Sequence, residues 1–270
     1  MDAAARRTRI EEQVVSRGEV AFAELAEALG VSEMTIRRDI EVLQSRGILR
    51  RVSGGAIALA GTSHEPSFGL RSAQSAAGKR LIGERIADLL SPGETVLLDS
   101  GSTVLAVARS IRGRRLGLTV VTPSIAVAVE LADDPGTRVL LVGGEVRAGE
   151  LSLIGSETEN ALARYNCDSC VLGVAGVDVE RGLTDYHPRE AGVKAVAITR
   201  AARVIVGAEE AKLGRVHLVT IAAFSAMSLL VTDAPDAHPA VVAARDAGIP
   251  VEVVSGDDDE PTDPEHDGAA

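Results

Sequence analysis

Six short apolar runs, "ETVLLD", "LTVVT", "RVLLVGG", "SCVLGVAG", "ARVIVG" and "SLLVTD", recur from Leu81 onward with helical or loop segments between them. Apolar strands that alternate with helices must bury both faces of a sheet. The pattern therefore predicts an α/β domain, a mostly parallel Rossmann-like sheet with helices on both sides. Ligands of such sheets bind at the carboxyl ends of the strands, so the loops after these runs are where a site belongs. With 270 residues, 46% of them hydrophobic, the chain can enclose one sizeable core and a smaller domain besides.

The smaller domain lies at the N-terminus. "AFAELAEALG" has Phe22, Leu25, Ala26 and Leu29 on one helical face, and Gly30 stands where a left-handed cap ends that helix. Val31 and Ser32 make a tight turn. Ser32 then caps a second helix, in which Ile36, Ile40 and Leu43 face inward and Thr35, Arg37 and Arg38 are left to the outside near its start. That is how a helix-turn-helix offers its recognition helix to the major groove. An earlier helix over about residues 4–16 completes the bundle. "ILRRVSGGAIAL" reads as a two-stranded wing, with Gly54 and Gly55 at or just after its turn and Arg50 and Arg51 aimed at phosphates.

Charge supports the same reading. The chain carries a net charge of -11, but its last fourteen residues, "DDDEPTDPEHDGAA", hold seven acids and no Lys or Arg, and are expected to be disordered. Residues 34–58 hold five arginines against Asp39 and Glu41, a local basic island. Double-stranded DNA is the expected partner. Single-stranded RNA fits less well, because its binding modules stack bases on aromatics and this chain is 2% aromatic with no Trp. A single winged helix reads few base pairs, so a homo-oligomer, a dimer or tetramer, is expected on repeated half-sites.

The string "VAFAELAEALGVSEMTIRRDIEVLQSRGILRRVSGGAIAL" resembles the winged helix of the DeoR family of bacterial transcriptional regulators, whose signature centres on "TIRRD" and "GGA".

Beyond "AGTSHEPSFGLRSAQSAAGK", which reads as a Gly, Ser and Ala-rich linker, the most informative loop is "DSGST", between the strand "TVLLD" and the helix "VLAVARSI". Gly101 lets the backbone approach a ligand, the following helix offers free N–H groups, and Ser100, Ser102 and Thr103 add hydroxyls. Asp99 precedes them. A phosphate suits this loop, although it is no P-loop, since the Walker lysine is missing. "TPS" (Thr122 to Ser124) and "GGE" (with Gly143 and Gly144) end the next two strands, "GLTDYHPREAGVK" gathers Asp185, Glu190 and Lys194, and "EEAKLGR" offers Lys212. Acids and bases around a phosphate cradle suit a phosphorylated sugar or polyol.

These motifs are similar to the effector domain of DeoR regulators, and the resemblance implies a fold related to ribose-5-phosphate isomerase and sensing of phosphorylated metabolites. It places Asp99, Gly101, Ser102 and Thr103 at the family's phosphate loop, and Lys212 at the lysine of an Asp-x-Ser-Lys-like string. Pro123, Glu209 and Ala211 depart from the usual Asn, Asp and Ser. "GVDVERGLTDYHPRE" is closest to the branch that senses glycerol 3-phosphate. The expected function is a repressor of carbohydrate or polyol catabolism genes, released from its operator by the effector. The alternative from another class is a sugar-phosphate isomerase fused to a DNA-binding domain, with Asp178, Asp185, Glu190 and Lys194 as acid and base. A nucleoid-type protein would leave "DSGST" and "EEAKLGR" unexplained.

The expected division is a winged helix over 1–60, a linker over 61–78, an effector domain over 79–256 and an acidic tail over 257–270. Cys167 and Cys170 form a lone CxxC, read as buried strand-entry thiols, and the five histidines show no ligand spacing; no metal site and no cofactor are expected. Without an apolar leader, membrane-length segment or disulfide framework, a soluble cytoplasmic protein is expected, with no membrane partner.

Overall fold

The computed structural model describes residues 1–59 and 61–255; the acidic tail expected over 257–270 lies outside them. At the N-terminus, α1 (Ala3–Arg17), α2 (Phe22–Leu29) and α3 (Glu33–Ser45) pack Ile10, Val14, Phe22, Leu25, Ile36, Ile40 and Leu43 into one core. Gly30 ends α2 in the left-handed region at φ 64°, and Ser32 caps α3 by accepting from Thr35 N, as the sequence predicts. The wing has a third strand: β1 (Glu19–Ala21) joins β2 (Leu49–Val52) and β3 (Gly55–Ala58) in the order β1-β3-β2. That pairing explains the second glycine of "GGA". A Cβ on Gly55 would stand 2.3 Å from Val20 O, so only glycine lets β1 close against β3.

The segment 61–78 holds more structure than a linker. It contains α4 (Phe68–Ala73) and the first turn of α5 (Ala76–Asp88), and Leu70 is fully buried. Its Gly, Ser and Ala content reads as a linker, but Ser67 caps α4 and tertiary contact supplies the rest.

All six apolar runs become strands of one parallel sheet: β4 (Thr95–Leu98), β5 (Leu118–Thr122), β6 (Thr137–Leu141), β9 (Cys167–Gly173), β12 (Ala201–Gly207) and β14 (Leu229–Thr232). A seventh, β15 (Val251–Val253), extends it, in the order β15-β14-β12-β9-β4-β5-β6. Two cores flank the sheet. On one face, α5, α6 (Ser102–Ile111) and α7 (Ile125–Leu131) cover Val96, Leu98 and Val120; on the other, α8 (Ser156–Leu162), α9 (Pro188–Thr199) and α10 (Pro239–Asp246) cover Leu97, Val121 and Leu172. Cys167 and Cys170 are buried in β9. A hairpin of β7 (Glu145–Arg147) and β8 (Ser152–Ile154), and a small antiparallel sheet of β10 (Gly176–Asp178), β11 (Gly182–Asp185) and β13 (Val219–Ala222), stand beyond the strand ends.

The strand order reverses at β4. The chain runs from β4 to β5 and β6 on one side, then returns to β9 on the other, which leaves a crevice between the loops after β4 and β9.

Candidate functional site

Two regions gather the residues singled out above. On the outer face of α3, Arg38 is exposed, whereas Arg37 is half-buried, its guanidinium 4.5 Å from the Phe22 ring centroid and 3.3 Å from Glu33. The hydroxyls of Ser32 and Thr35 share a hydrogen bond of 3.0 Å. Arg50 and Arg51 are exposed on β2, with Arg51 paired to Glu41 at 2.8 Å, and Gly54 occupies the wing turn. Asp39 is buried, takes Arg6 at 2.6 Å and Arg7 at 3.4 Å, and so ties α3 to α1. Removing Asp39 from the solvent face leaves that face more cationic than its sequence count.

The second region is the crevice at the strand reversal. Gly101 opens α6 with φ 111°, a left-handed conformation that a side chain would strain, and no side chain caps the first turn, to which Ser102 and Thr103 belong. A cavity of about 40 Å³ there is lined by Ser100, Gly101, Ser102, Thr103, Asp185, Glu190, Lys194 and Lys212 from the predicted set. Beside it lies a basin of about 290 Å³ that shares Ser102 and Lys212 and adds Lys79, Glu209 and Arg215. Lys212 reaches Glu209 at 2.9 Å and Thr103 Oγ1 at 3.4 Å, which sets an ammonium beside the α6 N-terminus.

Lys194 sits deeper. It donates to Asp99 and, at 2.8 Å, to Gly173 O, with Asp185 at 3.6 Å. Burial works against its charge, yet Asp99, Asp185 and Glu190 raise its pKa above the ordinary lysine value. Complete burial pushes the Asp99 carboxyl up against the pull of Lys194. Burial likewise opposes ionisation of Glu209, but Lys212 and Lys79 hold it down at about 2. Ser152 Oγ donates to Glu190 at 2.6 Å and Arg147 pairs with it; burial raises its pKa, but the charges of Lys194 and Arg147 bring it below the ordinary value.

Asp99, Thr122, Ser124, Gly143 and Gly144 stand outside the lining of this cavity. Asp99 braces it from behind through Lys194. The Thr122 hydroxyl accepts from Ser124 N at 3.0 Å, and the Ser124 hydroxyl accepts from Val127 N at 3.2 Å and so caps α7. Gly143 O accepts from Thr158 at 3.0 Å, and a Cβ on Gly144 would strike the same hydroxyl, so this pair packs β7 against α8.

Other lining residues carried no local signal. Arg71 on α4 bonds Glu65 at 3.0 Å and also Glu150, both beside the cavity, and Tyr186 completes the wall. Burial pushes Glu150 up to about 7 against the pull of Arg71. The segment 61–78 also reaches the N-terminal helices, where Ser67 N donates to the buried Glu11 of α1 at 2.7 Å and its hydroxyl donates to the other oxygen.

The DeoR-like helix-turn-helix domain matches residues 6–62 and the DeoR C terminal sensor domain matches residues 74–234. The transcriptional regulator GlpR of Haloferax volcanii is 36% identical, over 85% of this chain and 89% of that protein. The glycerol-3-phosphate regulon repressor of Escherichia coli is 31% identical, over 85% and 90%. Among solved structures, ribose 5-phosphate isomerase A of Methanocaldococcus jannaschii aligns with TM-score 0.37 and 17% identity, over 50% of this chain and 53% of that one. Among the described residues no helix is long and apolar enough to cross a membrane. A capped recognition helix with a basic wing, joined to an α/β sensor with a pocket at its strand reversal, belongs to a DNA-binding transcriptional regulator, and this chain is a member of the DeoR family.

Proposed function

We propose that this regulator represses carbohydrate or polyol catabolism genes in the cytoplasm, as a homo-oligomer, and leaves its operator when a phosphorylated sugar or polyol enters the sensor pocket. The observation that carries this reading is the α6 N-terminus, where Gly101, Ser102 and Thr103 meet Lys212 at the strand reversal. N–H groups, hydroxyls and an ammonium together favour a phosphate dianion, while Asp185 and Glu190 offer acceptors for sugar hydroxyls. The glycerol-3-phosphate regulon repressor of Escherichia coli, at 31% identity, supports a small phosphorylated polyol as the first candidate. We divide the chain into a head over 1–60, a strap over 61–78 and a sensor over 79–256.

The strap gives the pocket a route to the head. Arg71 stands at the cavity, Ser67 one helical turn earlier holds Glu11 of α1, and α1 holds α3 through Arg6 and Asp39. Arg71 lines both the inner cavity, about 40 Å³, and the basin of about 290 Å³ beside it, so a bound effector would lie against Arg71 and its carboxylate partners. Effector entry therefore competes with the contacts that hold the strap.

Binding without turnover suits the pocket's carboxylates. Ser152 and Arg147 orient Glu190, and Tyr186 N orients Asp185 at 2.7 Å, which sets both as fixed acceptors for the hydroxyls of a bound polyol. The test is a gel shift on operator DNA with glycerol 3-phosphate and other phosphorylated sugars and polyols added, followed by analysis of the sugar for isomerised product. Replacing Ser102 and Thr103 by Ala should preserve DNA binding and abolish its reversal. Wild-type effector affinity in that double variant would place the phosphate elsewhere, and isomer formation would favour the enzyme.

A further inference from the structure

In the first turn of α3, most residues have a structural task. Ser32 caps the helix, Glu33 pairs with Arg37, Thr35 shares its hydroxyl with Ser32, and Ile36 is wholly buried. Met34 has none, and it is 60% exposed. A lone exposed apolar side chain is ordinary on a protein surface, so exposure alone decides nothing. Position decides it. At about 100° per residue, Met34 points directly away from the buried row of Ile36, Ile40 and Leu43, and lies about 40° from Arg38 on the next turn. It thus occupies the middle of the outward face, at the end of a recognition helix that meets base edges.

Arg37, the other outward cation, is drawn back over Phe22. Ser32 and Glu33 are exposed too but are tied into the cap and the ion pair with Arg37, so the projecting residues without such a tie are one flexible thioether and one guanidinium. In the major groove the apolar feature of the base-pair code is the thymine 5-methyl, and an unbranched, polarisable side chain adapts to such a knob.

We infer that Met34 is a specificity-determining residue that covers a thymine methyl beside the base pair contacted by Arg38. This rests on α3 entering the major groove. An alanine there removes the apolar cover and leaves Arg38 in place.

The test uses the full-length protein and duplexes enriched from a randomised pool. Each thymine of the enriched site is replaced in turn by deoxyuridine, which removes only the methyl, and affinities are measured for the wild type, Met34→Ala, Met34→Leu and Arg38→Ala. The expected result is one thymine per half-site whose demethylation weakens wild-type binding about fourfold, the effect of exposing one buried methyl-sized group. Met34→Ala should be insensitive to the same change, and Met34→Leu should keep most of the sensitivity. If Arg38→Ala loses affinity while Met34→Ala retains the full deoxyuridine penalty, or no thymine methyl matters to the wild type, Met34 does not read the base and the docking of α3 stands. If Arg38→Ala and Met34→Ala both bind like the wild type, α3 does not read the site and both readings fall.

Discussion

Arg37 and Arg38 are adjacent in sequence and differ in surroundings, and their substitutions should separate accordingly. Arg38 is exposed and without an intramolecular partner among the described residues, so Arg38→Ala should cost about 1 to 3 kcal/mol of operator affinity and relax specificity at one position. Arg37→Ala should act more on the head itself, since it removes a cation from the face of Phe22, a contact of about 0.5 to 1 kcal/mol at a half-exposed site. Gel-shift titration and thermal melting of the two variants distinguish these outcomes. Glu209 allows a second test. Its folded pKa of about 2 lies below the ordinary 4.5, so its contribution is complete above pH 4.5 and disappears as pH falls through 2. Between those limits the wild type should lose about 3 kcal/mol that Glu209→Gln does not, seen as a steeper acid limb in urea unfolding.

At the scale of elements, α1 and α4 meet where Ser67 bonds Glu11, the contact proposed to link pocket and head. Glu11 is buried, and among the described residues its hydrogen-bond donors are the amide and hydroxyl of Ser67. Burial raises its pKa against those hydrogen bonds. Truncating it to alanine leaves Ser67 N without that acceptor, at about 1 to 3 kcal/mol. Glu11→Ala should therefore keep effector binding in the isolated sensor pocket and operator binding by the head, while the effector's influence on operator affinity shrinks toward nothing. Calorimetry for the effector and gel shifts with and without it measure the three quantities separately. Within α3, Ser32→Ala removes a side-chain cap from the recognition helix and should cost about 1 kcal/mol of head stability, read from its melting.

For the whole molecule, the proposed release of the operator sets an acidic body against a small basic head. The chain as a whole carries -11, so its nonspecific attraction to DNA is confined to the head. An effector can change operator affinity only by its preference for one arrangement of the heads, typically about 1 to 3 kcal/mol, which suffices when nonspecific binding is weak. A cognate effector at 100 times its dissociation constant should add about 2.7 kcal/mol of stability, visible as a thermal shift. Light scattering should find two or more chains per particle, and footprints should cover repeated half-sites; a monomer protecting a single half-site would contradict the assembly.

What the sequence determined by itself was local or periodic. The capped helix at Ser32, the turn at Gly30 and the six apolar strands follow from dihedral preference and from spacing along the chain, and each stands where those rules put it. The same holds for Gly101, Ser102 and Thr103, because a glycine before a helix start is a property of consecutive residues. Tertiary structure decided which of the strand-end residues meet. Thr122, Ser124, Gly143 and Gly144 have the same local character as the "DSGST" loop, yet their polar groups serve helix caps and hairpin packing. Arg71, Glu65 and Glu150 are drawn from an apparent linker and a hairpin loop, and only the folding of the strap across the strand ends brings them to the cavity. Likewise β1 is too short to show period-2 alternation and exists because β3 offers it an edge to pair with. Charged partners distant along the chain leave no periodic trace, so contacts such as Glu11 with Ser67 and Lys194 with Asp99 are properties of the packed molecule.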